Sequence, residues 1–339
     1  MRILKYFSIF LFLAAIVWYL SGYKKSYQLL TGETFGTYYT IKVRSTKENN
    51  LLQKIVKQKF SDINSEMSVF DMNSEISEIN RIPAGQWIAL SPDMSALLKN
   101  AYQIYQMSGG AFDPTTGRLI DLWGFGTTGN IQKIPDDAEI KKTLATTGFD
   151  KIQFSADFSR LRKKYAETTL NLSAIAKGYA VDRTASLLKA ERYKNFIVEI
   201  GGEVYAFGTR NENAKGWNIG IADPSGEDGA NLAVVTLKNY AVATSGDYNN
   251  FFYINDKKYS HTINPKTGYP VENNLISVTV FNKSCMTADG LATAIMSMGE
   301  SKAANFISSN KLAVIMFVKD ENGSISPIIS DAAQKFLKQ

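Results

Sequence analysis

Between positions 51 and 67 apolar residues recur at steps of three and four. Leu52, Val56, Phe60, Ile63 and Met67 fall on one side of a helix, with Asn50 as a cap. Ser91-Pro92 starts a second helix, serine capping and proline in the first turn. Its buried face is Met94, Leu97 or Leu98, Ala101 and Tyr105, and Ser108-Gly109-Gly110 ends it. Between the two, Ser74 and Glu75 begin a brief helix with Ile76 and Ile79 inside, and Asp136-Asp137 begin another that reaches Leu144. Residues 169–188 read as strand, loop and helix, Ser173 capping a helix that runs to about Lys189. Ala174, Ala176, Gly178 and Ala180 keep one end of it small, so another element can lie against its backbone. A last helix begins at Ala288, with Leu291, Ile295 and Met298 inward and Asp289 and Thr293, four apart, on one face.

Shorter apolar or alternating runs predict strands. They are Tyr39–Val43, a small hairpin over 149–158, FIVEI and VYAFG about Gly201-Gly202, Trp217–Ala222, Leu232–Leu237, Ala241–Ala243, Phe251–Ile254, Ile276–Phe281, Leu312–Val318 and 325–328. Lys24–Leu30 reads as a tether. Strands and helices do not alternate regularly, so the pattern predicts an α+β fold of mixed helices and antiparallel-rich sheets rather than a doubly wound sheet. With 339 residues, 45 % of them apolar, the chain has room for two tightly coupled subdomains. The 38 basic and 32 acidic residues are intermixed, and a net charge of +6 describes a mildly basic surface. There is no basic helix, zinc-ligand spacing or aromatic RNA-binding motif, which speaks against nucleic acid as a partner. One cysteine, Cys285, excludes an internal disulfide.

Arg2 and Lys5 precede an apolar run from Tyr6 to Leu20. Residues 1–25 therefore read as a signal peptide or an N-terminal membrane anchor, although a span needs roughly 17–25 residues and this one is marginal. No cysteine follows the run, which excludes a lipoprotein anchor. This reading leaves 26–339 as the body of the protein and places it at a bacterial inner membrane, on the periplasmic or extracytoplasmic side.

Candidate chemistry gathers in Tyr240–Val271, which holds the single histidine, His261. Thr244-Ser245-Gly246-Asp247 precedes it and the turn-dense Asn264-Pro265-Lys266-Thr267-Gly268 follows. The extended FFYI run between them allows a hairpin to bring the Ser245-Gly246-Asp247 segment near His261. Lys177 lies near the start of its helix, unfavourable for the helix dipole yet well placed for an anion. Asp289 with Thr293 suits an oxygen-liganded cation such as Mg²⁺ only if other oxygens join them.

Several stretches, in order, resemble the ApbE family. They include ETFGTYYTI at 33–41, SVFDMNSEISEIN at 68–80, GGAFDPTTGRLIDLWGFG at 109–126 and NLSAIAKGYAVD at 171–182. VEIGGEVYAFG at 198–208, WNIGIADP at 217–224, AVATSGDY at 241–248, HTINPKTGYP at 261–270 and TADGLATAIMSMG at 287–299 continue the series. The resemblance implies an FAD:protein FMN transferase: with Mg²⁺ (or Mn²⁺) on the diphosphate, a Thr or Ser hydroxyl of an acceptor flavoprotein takes FMN from FAD and AMP leaves. It also implies an acceptor that is an exported or membrane oxidoreductase subunit. Carried over, the FAD site comprises Phe35, Phe70, Ala111, Phe112, Asp113, Asn171, Lys177 and Ile263, and the metal site Ala174, Asp289, Ala292 and Thr293. His261 is the base, with Asp247 as an alternative base or as the group that orients the acceptor. Asn171 and Asn264 stand where the family has aspartate, and Gly290 where alanine is common. FAD hydrolysis to FMN and AMP, or FAD binding without catalysis, are the competing expectations.

Overall fold

Alternation along the central strands buries both of their faces. In Tyr240–Gly246, Ala241 and Ala243 point into one apolar cluster and Val242 into another; in Ala313–Lys319, Val314 and Met316 oppose Ile315 and Phe317. A sheet of this kind needs cover on both sides, and the rest of the chain supplies it. The structure, a computed structural model, describes residues 26–45, 50–126, 133–222, 231–246, 251–255 and 257–337.

The strands are β1 (Ser26–Thr34), β2 (Thr37–Ser45), β3 (Ile88–Ala89), β4 (Ile152–Phe154), β5 (Arg160–Lys163), β6 (Phe196–Ile200), β7 (Glu203–Phe207) and β8 (Trp217–Ala222). They continue with β9 (Asn231–Leu237), β10 (Tyr240–Gly246), β11 (Phe251–Ile254), β12 (Lys257–Ser260), β13 (Leu275–Asn282), β14 (Ala313–Lys319) and β15 (Ile325–Ile329). The helices are α1 (Asn50–Met67), α2 (Glu75–Arg81), α3 (Pro92–Met107), α4 (Gly117–Leu122), α5 (Asp137–Thr146), α6 (Ser173–Ala190), α7 (Cys285–Met298) and α8 (Glu300–Ser309).

Eight strands form one antiparallel sheet in the order β1-β2-β6-β7-β10-β13-β14-β15. On one face lie α1, α3, α6 and α7, enclosing the largest cluster. The other face is covered by the β8–β9 ribbon and a short 3₁₀ turn, through Trp217, Ile221, Val235, Leu237 and Phe336. A third cluster of Leu119, Trp123, Ile140, Phe252 and Ile263 joins α4 and α5 to the β11–β12 hairpin. This is the expected α+β architecture with antiparallel sheets.

Local signals account for most elements. All five expected positions of α1 are buried. Ser74 and Ser91 cap α2 and α3 by accepting from Ser77 N and Met94 N. Several expectations are corrected. The predicted tether is the edge strand β1, which buries Leu30 in the main apolar cluster while Leu29 faces outward. The hairpin expected over 149–158 is a 3₁₀ turn followed by β4 and β5. No strand stands directly before α6, and Ser173 is its first residue rather than its cap. The helix α8 was not expected: Gly299, at φ 74°, breaks the apolar run and starts a second helix directly after α7.

The inner-membrane placement is also corrected. Among the described residues no helix is long and apolar enough to cross a membrane. The apolar run at 6–20 that prompted it lies outside the described residues.

Candidate active site

The site is built where two helices touch. Gly178 in α6 has no room for a side chain, since a Cβ there would come within 2.5 Å of the Cys285 carbonyl and 2.8 Å of Asp289 Cβ. Its N–H, which an unperturbed helix would give to the Ala174 carbonyl, donates to Asp289 Oδ2 at 2.9 Å. The small residues of α6 thus let α7 bring a buried carboxylate, 4 % exposed, onto the first turns of α6. Asp182 secures the same junction from the next turn, accepting from Ser284 Oγ at 2.6 Å and from the backbone N–H groups of Cys285 and Met286.

The third side comes from the β6–β7 hairpin. Gly201 and Gly202 take positive φ (58° and 94°), a turn that β-carbon-bearing residues resist. The turn delivers Glu203, 3 % exposed, whose Oε1 accepts from Lys177 Nζ at 2.9 Å. One ammonium therefore faces two carboxylates. Burial alone would lower the Lys177 pKa, but Asp289 and Glu203 hold it above the ordinary lysine value. Burial, with repulsion from Asp289, pushes the Glu203 carboxyl up to about 8 against the pull of Lys177. Burial also raises Asp289, opposed by Lys177 and the Gly178 N–H.

These groups line a cleft of about 690 Å³, within the range of ligand sites. Its walls include Phe70, Ala111, Phe112, Asp113, Asn171, Ala174, Lys177, His261, Ile263, Asp289 and Thr293, so the structure brings most of the sequence-predicted residues to one cavity. Ser245 and Gly246 line it as well, and the Ser245 and Thr293 hydroxyl oxygens lie 3.3 Å apart. The β11–β12 hairpin does return the chain to His261 as expected. Asp247 lies outside the described residues. Phe35 sits elsewhere, at the β1–β2 turn with its ring edge-on to Phe60, and Ala292 is fully buried and contributes no wall.

The His261 segment is held by the third cluster. Trp123 Nε1 donates to the Gly268 carbonyl at 2.8 Å, Tyr269 Oη donates to Asp137 Oδ1 at 2.6 Å, and Val271 N donates to Thr262 O at 2.9 Å. Phe125 packs edge-on to the imidazole, with ring centres 6.4 Å apart. Opposite, Asp113 is engaged within the protein: Oδ1 accepts from Thr115 N and Oγ1, and Oδ2 from Phe149 N. It pins the 111–116 wall to the turn at 148–149. Phe70, 75 % exposed, stands at the mouth as an unburied aromatic.

Both aspartate-to-asparagine departures have local roles. Asn171 Oδ1 accepts from Ser173 N at 3.0 Å, at the start of α6, and Asn264 Oδ1 accepts from Lys266 N at 2.9 Å, closing the Asn-Pro turn. An amide oxygen does either task as well as a carboxylate. Gly290 is matched to a neighbour, since a Cβ there would meet Ile104 Cδ1 at 2.6 Å. Glu203 is the charged cleft residue that sequence reasoning passed over. It lies inside a quoted motif, but its partner is 26 residues away and only the hairpin reveals the pairing.

Comparison with known proteins finds relatives over most of the chain. A FAD:protein FMN transferase of Vibrio cholerae is 37% identical over 297 residues, 87% of this chain and 88% of that protein. One of Escherichia coli is 30% identical over 316 residues, 91% of this chain and 89% of that protein. The solved flavin transferase ApbE from Vibrio cholerae superposes with a TM-score of 0.84 at 34% identity, covering 92% of this chain and 100% of that one. The apo flavinyl transferase ApbE of Pseudomonas stutzeri gives 0.84 at 32% identity, over 92% and 97%. The family model described as the ApbE family matches residues 35–316, and the chain belongs to that family.

Proposed function

We propose that this cleft transfers FMN from FAD to a Thr or Ser hydroxyl of an acceptor flavoprotein and releases AMP. The chain is an FAD:protein FMN transferase; the division of labour among its residues is our reading. The observation that carries it is the Lys177–Glu203–Asp289 arrangement at the junction of α6, α7 and the β6–β7 turn.

Asp289 and Glu203 flank a single ammonium, so the junction carries no surplus positive charge to repel a cation. The oxygens the cleft itself offers are the Asp289 carboxylate, the Thr293 hydroxyl and the Ala174 carbonyl, a set suited to Mg²⁺ or Mn²⁺, whereas Ala292 lies buried behind the wall. Among the described residues no cluster of three or more His, Cys, Asp or Glu side chains forms a metal site, so the reading rests on one carboxylate and neutral oxygens. When bound, the cation would offset charge on the diphosphate and its leaving group.

The remaining work falls to the chain. Lys177 meets a phosphate oxygen at the start of α6, where the helix dipole also favours an anion. Phe70 offers a ring face at the mouth, and Ala111–Asp113 with Ile263 form the nucleotide walls. His261 accepts the proton of the acceptor hydroxyl as its oxygen bonds to the phosphorus bearing riboflavin. The bond to the bridging oxygen breaks, and AMP leaves with that oxygen. The acceptor is an oxidoreductase subunit that presents its hydroxyl on a segment able to enter the cleft.

The test is to follow AMP release from FAD with and without acceptor, in Mg²⁺ and in chelator. AMP in proportion to flavinylated acceptor, abolished by chelator, supports transfer. AMP at the same rate without acceptor makes hydrolysis the main activity.

A further inference from the structure

Glu203 is more than nine-tenths buried and lines the cleft, yet only Oε1 is paired; Oε2 is buried without a hydrogen-bond partner among the described residues. Such an atom is destabilising. A buried ion pair is itself weak support for a fold, since an apolar pair of similar volume often serves as well. The pair therefore needs another explanation, and the course of Lys177 supplies one. Its stem runs across the β6–β7 turn, where a Cβ on Gly201 would come within 3.3 Å of Lys177 Cδ. The ammonium then ends on Glu203 rather than on Asp289, although both carboxylates attract it. Direct pairing of Lys177 with Asp289 would occupy the oxygens of the one carboxylate in the proposed cation site.

We propose that Glu203 is a positioning residue that holds Lys177 off Asp289, keeping the ammonium for the dinucleotide phosphate and the Asp289 carboxylate for the cation. This rests on the FAD-diphosphate reading of the cleft. The Gly201-Gly202 turn belongs to the same device, because it sets the depth at which Glu203 meets the ammonium.

The test uses the full chain with FAD, Mg²⁺ and acceptor, comparing wild type, Glu203→Gln, Glu203→Asp, Lys177→Met and the double variant Lys177→Met/Glu203→Gln. Glu203→Gln should lower kcat/KM for FAD by about tenfold or more and raise the Mg²⁺ concentration needed for half activity. Glu203→Asp should recover part of the loss. In the Lys177→Met background, Glu203→Gln should change kcat/KM by less than about twofold, because no ammonium is left to position. The melting temperature of ligand-free Glu203→Gln should not fall, which separates positioning from a structural role; should that variant not fold, the Glu203→Asp series in both backgrounds carries the same comparison. Equal losses in the two backgrounds, or an unchanged Mg²⁺ requirement, would overturn the proposal while wild-type transfer leaves the transferase reading standing. A wild-type chain that leaves the acceptor unflavinylated would overturn both.

Discussion

The backbone N–H of Gly178 donates to Oδ2 of Asp289 at 2.9 Å, across 111 residues of sequence. This bond ties the proposed phosphate-binding helix to the proposed cation-binding helix. It exists because position 178 carries no side chain: the nearest atoms include the Cys285 carbonyl, which is helix backbone and cannot swing aside.

Gly178→Ala should therefore separate α6 from α7. Overpacking of this kind costs about 3 kcal/mol, read as a lowered urea midpoint. Transfer activity should fall further than stability explains, because Asp289 loses its anchor. An alanine variant with wild-type activity and midpoint would show that the helices have slack the geometry denies them.

Asn264→Asp should leave activity within about twofold of wild type, because the turn needs only an acceptor oxygen for Lys266 N. Asn171→Asp should act differently. It keeps the bond to Ser173 N and adds a negative charge at the start of α6, which stabilises the helix by about 0.5 kcal/mol. The same charge stands in the cleft wall, so FAD affinity should become more Mg²⁺-dependent. Thermal melting and FAD titration at two Mg²⁺ concentrations distinguish the two positions.

Much of this was legible in the chain because it is local. Ser74 and Ser91 cap the helices that their neighbours predict, and the α1 stripe is buried at each expected position. What was not legible depends on contacts far apart in sequence. A tether reading fails at β1 because Leu30 is buried only once β1 pairs with β2 and joins the main apolar cluster. The helix α7 is buried on nearly every side, so the inward face read from Leu291, Ile295 and Met298 was only part of what it buries, and α8 hid behind it. Within the site, the Asp289–Thr293 spacing was visible. The Lys177–Glu203 pair and the internal engagement of Asp113 needed the hairpin turns that bring them together.

Away from the cleft, Glu66 predicts a pH effect on stability. Burial first, then Asp93 and Glu75, raise its pKa from 4.5 to about 7, with Lys59 opposing and Asp62 adding to the rise. Between those values the folded chain keeps a proton that the unfolded chain has lost, so this group's contribution to stability falls as pH rises from about 4.5 to about 7. Glu66→Gln should remove that loss. The variant should melt several degrees above wild type at pH 8 and close to it at pH 4.5, whereas parallel melting curves at both pH values would contradict the assignment.

The most direct test of the account is the intact mass of an acceptor flavoprotein after incubation with this chain, FAD and Mg²⁺. The account predicts a gain of one FMN less one water on the acceptor, matched by AMP, with wild-type protein and none with Asp289→Ala. A full mass gain with Asp289→Ala would contradict the role given to the α6–α7 junction, and no gain with wild-type protein would contradict the transfer itself.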